Sequence, residues 1–260
     1  MVMRKKLIIT ISVILAVIVV AVCVTVPTLY MYGMLADIHK FNNPEEGQIR
    51  VACVGDSLTY GHGVENWPKN NYPTQLGNML GDEYCVNNYG YSGRTASKSC
   101  NRSYTSEKLY KQSLEFAPDI VIIMLGSNDT KSDVWKGKDS YVADYTEIIE
   151  SYLALESVKS VYIMSPTPVW MKHGRAPYGI NIELVATVIH DVAKELSIQL
   201  GLNYIDLYEV FADKGNMFSD GAHPNAEGAS LIAKTVYEKM QSVKNLEVFD
   251  EDGTMCHPFL

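Results

Sequence analysis

The feature that most constrains the fold is an alternation of short apolar runs with longer amphipathic segments after residue 48. The apolar runs are mostly rich in Val and Ile, as buried parallel strands are, and they span residues 49–54, 84–87, 119–125, 160–164 and 203–207. The segments of helical period span residues 72–80, 107–116, 141–155, 181–200 and 226–243. This order predicts an α/β fold in which a five-stranded parallel sheet is covered by helices on both faces.

The N-terminal region differs from the rest of the chain. Arg4, Lys5 and Lys6 precede residues 7–26, which carry no charge and consist mainly of apolar side chains. A membrane-spanning helix needs about 20 such residues, whereas the apolar part of a cleaved signal peptide has about 7 to 15. The basic flank favours a cytoplasmic N-terminus. We therefore predict a single-pass anchor in the cell membrane with the remaining chain outside the cytoplasm; the alternative is secretion after signal cleavage.

These patterns predict one domain with short additions at both ends. Its expected parts are a cytoplasmic basic segment at 1–6, a transmembrane anchor at 7–29, a stalk at 30–48, the folded domain at 49–244 and a tail at 245–260. With 47% hydrophobic residues, a domain of this length has enough apolar side chains for a well-packed core.

Charge and cysteine usage exclude several function classes. The formal charge is −8, and residues 1–36 hold three basic and no acidic residues, so the remainder carries −11. Nucleic-acid binding is disfavoured, because phosphates are neutralised by clustered Lys and Arg. The five cysteines are scattered without metal-ligand spacing, so no metal site is expected. A Cys85–Cys100 disulfide stays open, although free thiols are favoured in so large a domain.

Ligands of open parallel sheets bind beyond the carboxyl ends of the strands, so the polar loops there are candidate sites. The loop after the first run is Val-Gly-Asp-Ser-Leu-Thr-Tyr-Gly, which places Ser57 directly after a strand. A serine nucleophile needs a base that is itself oriented by a third group. Asp220 and His223, in Asp-Gly-Ala-His-Pro-Asn, can supply that pair from a single turn.

Four of these loops resemble the four sequence blocks of the SGNH (GDSL) hydrolase family, over about residues 49–240. Ser57 lies in Gly-Asp-Ser-Leu, Gly93 in Ser-Gly-Arg-Thr and Asn128 in Gly-Ser-Asn-Asp, and Asp220 and His223 match the family's Asp-x-x-His pair. The resemblance implies a three-layer flavodoxin-like sandwich with a Ser57–His223–Asp220 triad. It also implies an oxyanion hole made by the backbone N–H groups of Ser57 and Gly93 and the side-chain amide of Asn128.

Each of these residues has an ordinary structural role when it is considered alone. A serine after a strand is commonly a helix cap, and Asn or Gly commonly shapes a turn. Their occurrence in four successive loops favours catalysis. Trp67, Tyr91 and Trp135 lie near the same loops, where aromatic faces can stack on sugar rings or simply pack the loops together.

The resulting hypothesis is a serine ester hydrolase without a cofactor, acting on a small-molecule or glycan ester. Loops 61–72 and 129–140 resemble those of family members that deacetylate carbohydrates, which favours a short-chain O-acetyl esterase on carbohydrate or cell-surface glycan. The alternatives are a lipase or lysophospholipase, a surface O-acyl transferase, and a non-catalytic glycan-binding module. Acyl-chain preference distinguishes the lipase, and intact triad residues argue against the binding module.

Overall fold

The computed structural model describes residues 2–31 and 39–247, so the predicted tail lies almost entirely outside the described residues. A sheet of five parallel strands forms the centre of the domain, in the order β2-β1-β3-β4-β5. In its register, Val51 lies opposite Val86 on one side and opposite Ile120 on the other. The strands are β1 Ile49–Gly55, β2 Tyr84–Gly90, β3 Ile120–Met124, β4 Ser160–Met164 and β5 Asn203–Ile205. The predicted five-stranded parallel sheet is thus confirmed.

Helices occupy most of the segments between the strands. They are α1 Val2–Met31, α2 Ser57–Tyr60, α3 Trp67–Asn70, α4 Tyr72–Leu80, α5 Lys108–Glu115, α6 Lys138–Leu153, α7 Ile182–Leu184, α8 His190–Gln199, α9 Leu207–Val210 and α10 Ala226–Glu247. A π-helical turn, Val185–Ile189, joins α7 to α8. The predicted helix at 181–200 is therefore interrupted in its first half.

The two faces of the sheet pack against different helices because successive side chains of a strand point in opposite directions. Ala52 and Val54 face a core that includes buried side chains of α6 and α8, with α5 packed at its edge. Val51 and Cys53 face a second core that includes α4 and α10. The result is the three-layer sandwich that the family resemblance implied.

Side-chain caps set the start of several helices at the carboxyl edge of the sheet. Asp56 accepts a hydrogen bond from the backbone N–H of Leu58 and so caps α2. Asp206 accepts one from the N–H of Glu209 and caps α9. This cap explains why β5 ends before residue 206, although the apolar run continues to Leu207.

The N-terminal helix α1 leaves the side chains of residues 10–26 exposed. Among residues 2–31 and 39–247, no helix combines the length and the apolar character needed to cross a membrane. The predicted transmembrane anchor at 7–29 is accordingly not supported by the structure.

Part of the predicted stalk packs against the domain. The backbone N–H of Asn42 donates to Asn87 Oδ1 at 2.7 Å, and Asn42 Nδ2 donates to the carbonyl of Val86 at 3.0 Å. These contacts hold the chain along the outer strand β2 before it enters β1. Cys85 and Cys100 are free thiols.

Candidate active site

Ser57 begins α2 one residue after the inner strand β1 ends, so its hydroxyl lies at the carboxyl edge of the sheet. Its Oγ is 2.9 Å from Nε2 of His223, a residue 166 positions away in the chain. The structure thereby brings together the predicted nucleophile and the predicted base at hydrogen-bonding distance.

Asp220 holds the other side of the imidazole. Its Oδ2 lies 2.7 Å from Nδ1 of His223, and its Oδ1 accepts the backbone N–H groups of Ala222 at 2.9 Å and His223 at 2.8 Å. Partial burial alone would raise the pKa of Asp220, but the hydrogen bond and charge of His223, together with the two N–H groups, hold this pKa well below its usual range. The carboxyl group is therefore ionised at neutral pH.

Gly221 allows this turn to approach the preceding loop. Its φ is +88°, and a Cβ on it would lie 2.3 Å from the carbonyl oxygen of Trp170. Only glycine fits both the backbone angle and the contact. The Gly between Asp220 and His223 is thus a steric requirement of the turn.

Asn128 sits between the first and second loops. Its Nδ2 lies 3.0 Å from Oδ2 of Asp56 and 3.1 Å from the carbonyl oxygen of Arg94. A primary amide has two N–H groups, and both are engaged here. To donate to a substrate oxygen, Asn128 must exchange one of these contacts.

Asp56 and Asp129 are buried acids in the first and third loops. Asp129 accepts the backbone N–H groups of Ser97 at 2.7 Å and Ala96 at 3.1 Å, which ties the third loop to the second. Burial raises the pKa of Asp129 to about 7 in spite of these donors, and raises that of Asp56 to about 6 in spite of the Leu58 N–H. The hydrogen bonds that both carboxyl groups accept from loop backbone N–H groups fit a scaffolding role.

A cleft of about 220 Å³ opens over the serine and is lined by four of the five residues of the predicted triad and oxyanion hole, Ser57, Gly93, Asn128 and His223. Asp220 lies behind His223 and does not line the cleft. Gly93, with a φ of +78°, lies on its wall. Residues that were not singled out from the sequence also line it, namely Lys131, Val169, Tyr178, Ile180 and Ala222. Most of these come from loops without a motif, so no sequence signal marked them.

The three predicted aromatic residues lie in different places. Trp67 is buried, packs at a tilt against the ring of Tyr60 and donates its indole N–H to the carbonyl of that residue, so it packs the interior. Tyr91 lines a separate cavity beside α5, with the Arg94 guanidinium 3.9 Å above its ring. Of the three, Trp135 alone lines a groove that shares a wall residue, Ile180, with the cleft.

Metal ligation has no evident site in the described residues. No group of three or more His, Cys, Asp or Glu side chains there could hold a metal ion.

The parallel three-layer fold and the hydrogen-bonded chain from Ser57 through His223 to Asp220 have the arrangement that is typical of α/β serine hydrolases. Residues 53–231 match the sequence profile of the GDSL-like Lipase/Acylhydrolase family, which is most of the chain. The chain belongs to this family, as its motifs predicted.

Known relatives agree with this assignment. An acetylxylan esterase from Xylanibacter ruminicola is 32% identical over 211 residues, which cover 74% of this chain and 43% of that protein. The chain thus spans less than half the length of this relative.

Solved structures agree with the fold. A carbohydrate acetylesterase from Sinorhizobium meliloti is 21% identical with a TM-score of 0.61, over 75% of this chain and 100% of that structure. An aryl esterase from M. smegmatis is 22% identical with a TM-score of 0.59, over 75% of this chain and 99% of that one. At these identities the similarity demonstrates a common fold.

Proposed function

We propose that the protein hydrolyses short-chain O-acetyl esters of carbohydrates with a Ser57–His223–Asp220 triad. The observation that carries the proposal is the continuous hydrogen-bonded chain from Ser57 Oγ through His223 to Asp220, at 2.9 and 2.7 Å. The base is within reach of the nucleophile, and the ionised carboxylate fixes the ring so that Nε2 faces the hydroxyl.

The reaction proceeds in two acyl-transfer steps. His223 Nε2 takes the proton of Ser57 as Oγ attacks the ester carbonyl, and the same nitrogen then protonates the departing alcohol oxygen. Water next attacks the acyl-enzyme and gives its proton to His223. His223 then protonates Ser57 Oγ as the bond to the acyl group breaks, which releases acetate and restores the Ser57 hydroxyl.

Negative charge develops on the carbonyl oxygen in both steps. The backbone N–H groups of Ser57 and Gly93 and the amide of Asn128 are proposed to stabilise it, as the family match implies. Preorganised donors of this kind contribute about 3 to 4 kcal/mol each to transition-state stabilisation. In the free protein Asp56 and the Arg94 carbonyl hold the Asn128 amide in place.

The size of the cleft supports a short acyl group. Its volume of about 220 Å³ is roughly seven times the ~30 Å³ that one water occupies in the liquid. A site of this size accommodates an acetyl group and the neighbouring part of a sugar.

A carbohydrate alcohol is supported by the groove that continues from the cleft past Ile180. The groove has a volume of about 610 Å³ and is lined by Trp135 and by Met171, whose side chain is 62% exposed. Aromatic and apolar faces beside backbone polar groups suit sugar rings. We propose that Trp135 contacts a sugar of the substrate, consistent with the name of the Xylanibacter relative.

The decisive experiment compares the purified full-length protein with Ser57→Ala on p-nitrophenyl acetate, butyrate and octanoate and on acetylated xylan. Ser57-dependent turnover of acetate over octanoate supports the proposal. Octanoate preference would indicate a lipase, and full activity in Ser57→Ala would contradict the mechanism. Trp135→Ala is expected to lower kcat/KM on acetylated xylan while p-nitrophenyl acetate turnover stays near wild type.

We also propose that the hydrolase domain works outside the cytoplasm. The support is the sequence itself, in which three basic residues precede the uncharged residues 7–26. Cell fractionation with protease treatment of intact cells tests this location. Degradation of the domain by external protease, or its recovery from the medium, supports it, and protection in the cytosolic fraction contradicts it.

A further inference from the structure

The loop between β4 and α7, residues 165–181, forms one wall of the cleft. It is fixed to the site at two points. The backbone N–H of Trp170 donates to the carbonyl of Gly221 at 2.8 Å, and the N–H of Asn181 donates to Thr130 Oγ1 at 3.0 Å. Between these points the loop presents Tyr178 to the triad.

The Tyr178 side chain contacts both His223, which is the proposed base, and Asp220, which orients it. Its hydroxyl donates to Asp220 Oδ2 at 2.8 Å. Its ring lies edge-on to the imidazole of His223, with 5.0 Å between centroids and 69° between planes. No motif in the sequence marks this residue.

The backbone of Tyr178 adopts an unusual conformation. Its φ of +54° and ψ of +17° lie in the left-handed region, which is rare for an aromatic residue. Such conformations persist where surrounding contacts fix them, and they concentrate at functional sites. The contacts with Asp220 and His223 are of this fixing kind.

The hydrogen bond from Tyr178 draws part of the negative charge of the Asp220 carboxylate away from His223. Oδ2 is shared by Nδ1 of His223 and the hydroxyl of Tyr178. Partial burial, with the hydrogen bond and charge of Asp220, raises the pKa of Tyr178 to about 12, so the phenol keeps its proton and is the donor at neutral pH.

We propose that Tyr178 is a positioning residue that fixes the Asp220 carboxylate and moderates its attraction for the protonated imidazole of His223. Its consequence for catalysis rests on the proposed function. The base must be neutral to activate Ser57, and an undivided carboxylate charge would retain the proton on the imidazole up to a higher pH.

Other groups also face the imidazole of His223. The ring of His62 lies 4.8 Å from it between centroids, the carboxyl group of Asp56 interacts with it electrostatically, and Lys131 lines the same cleft. These groups are unchanged when only the Tyr178 hydroxyl is removed. A shift of the pH profile in a variant that lacks only the Tyr178 hydroxyl is therefore caused by loss of the Tyr178–Asp220 hydrogen bond.

The variant Tyr178→Phe keeps the ring and removes the hydroxyl. We expect kcat/KM for p-nitrophenyl acetate at pH 7 to fall about threefold to tenfold, the size of one lost hydrogen bond. The acid limb of the pH profile should move to higher pH by about half a unit or more. The matched control is Tyr237→Phe, a partly buried tyrosine on α10 that packs against the second core and does not line the cleft, and it should keep the wild-type profile.

If the Tyr178–Asp220 hydrogen bond only held the loop in place, the Tyr178→Phe variant would give a different result. The substitution would raise KM or lower thermal stability but leave the acid limb where it is. An unmoved acid limb overturns the proposal.

A second measurement requires no turnover. With labelled histidine, the titration of the His223 imidazole is followed by NMR in the wild type and in Tyr178→Phe, and the signal is assigned by its loss in His223→Gln. A shift to higher pH in Tyr178→Phe supports the proposal even if the protein hydrolyses no ester, a result that would overturn only the proposed function. Identical titrations in the two proteins overturn the proposal itself.

Discussion

The Asn128 amide shows how one side chain links scaffold and chemistry at the residue scale. In the free protein it donates to the Asp56 carboxylate and to the Arg94 carbonyl, at 3.0 and 3.1 Å. These acceptors hold the amide beside the serine without a substrate. When an oxyanion forms, it offers a stronger acceptor than a neutral carbonyl, so one N–H can turn to it.

Replacing this amide should therefore affect turnover more than binding. We expect Asn128→Ala to lower kcat by about 10²- to 10³-fold with little change in KM, because the donor acts on charge that develops in the transition state. Steady-state kinetics with p-nitrophenyl acetate measures both constants. Asn203→Ala is the matched control, since Asn203 begins β5 and bonds Ser160 at the other edge of the sheet. A kcat within twofold of wild type in Asn128→Ala would exclude the amide from the oxyanion hole.

Sequence motifs located the residues with distinctive spacing but not those that act through loop geometry. Ser57 and the Asp220–His223 pair stood in recognisable blocks, and the structure places them in contact. Tyr178 stands between Pro177 and Gly179 in a loop without any motif. Its contact with Asp220 depends on a left-handed backbone and on long-range packing, which local sequence does not specify.

At the scale of secondary-structure elements, the sharp turns between strands and helices bring the site together. Gly221 and Gly93 both have positive φ, at +88° and +78°. They differ in their surroundings, because a Cβ on Gly221 would contact the Trp170 carbonyl at 2.3 Å, whereas a Cβ on Gly93 would meet nothing within 4 Å. A side chain at position 93 would therefore cause only backbone strain, whereas a side chain at position 221 would cause both backbone strain and a steric clash.

Alanine substitutions at the two glycines should accordingly differ in how much they lower the free energy of unfolding. Gly93→Ala should lower the free energy of unfolding by about 1 kcal/mol, the strain of a left-handed residue. Gly221→Ala should cost about 3 kcal/mol or more, because the backbone of loop 165–181 must also move. Urea denaturation of both variants measures the difference. Equal losses would mean that the Trp170 contact relaxes freely.

Element boundaries were predicted well where apolar periodicity was strong and less well where caps decide them. Helix 72–80 was predicted with the bounds that α4 has in the structure. The segment 181–200 instead contains the π-helical turn Val185–Ile189. Its apolar residues keep spacings of three and four, which are typical of a regular helix, so periodicity did not reveal the turn. The short helices α2, α3 and α9 escaped prediction because four residues do not establish a period.

At the scale of the whole molecule, the strand order creates the site. β1 lies between β2 and β3, so the loops that carry Ser57, Gly93 and Asn128 are neighbours at one edge of the sheet. The alternation of runs predicted the five strands, but their order depends on pairings between distant segments. Asp129 then joins two of these loops, through the N–H groups of Ala96 and Ser97.

The buried carboxyl group of Asp129, which connects these two loops, should make the free energy of unfolding depend on pH. Burial raises the pKa of Asp129 from 3.8 to about 7, so its neutral form is favoured by folding. Its contribution to stability is therefore complete below the unfolded pKa near 4 and is lost as the pH rises through 7. The loss is at most about 4 kcal/mol, the equivalent of the full shift.

Asp129→Asn removes this titration but keeps the shape of the side chain. At pH 4 the variant should be less stable than wild type, since an amide has one acceptor oxygen for the two N–H groups. As the pH rises to 8 the wild type loses stability through ionisation of Asp129, so the difference between the two proteins should shrink. Free energies of unfolding in urea at one-unit pH intervals measure this trend. A difference that stays constant from pH 4 to 8 would show that Asp129 is ionised in the folded protein throughout, and that its two backbone donors outweigh the cost of burying its charge.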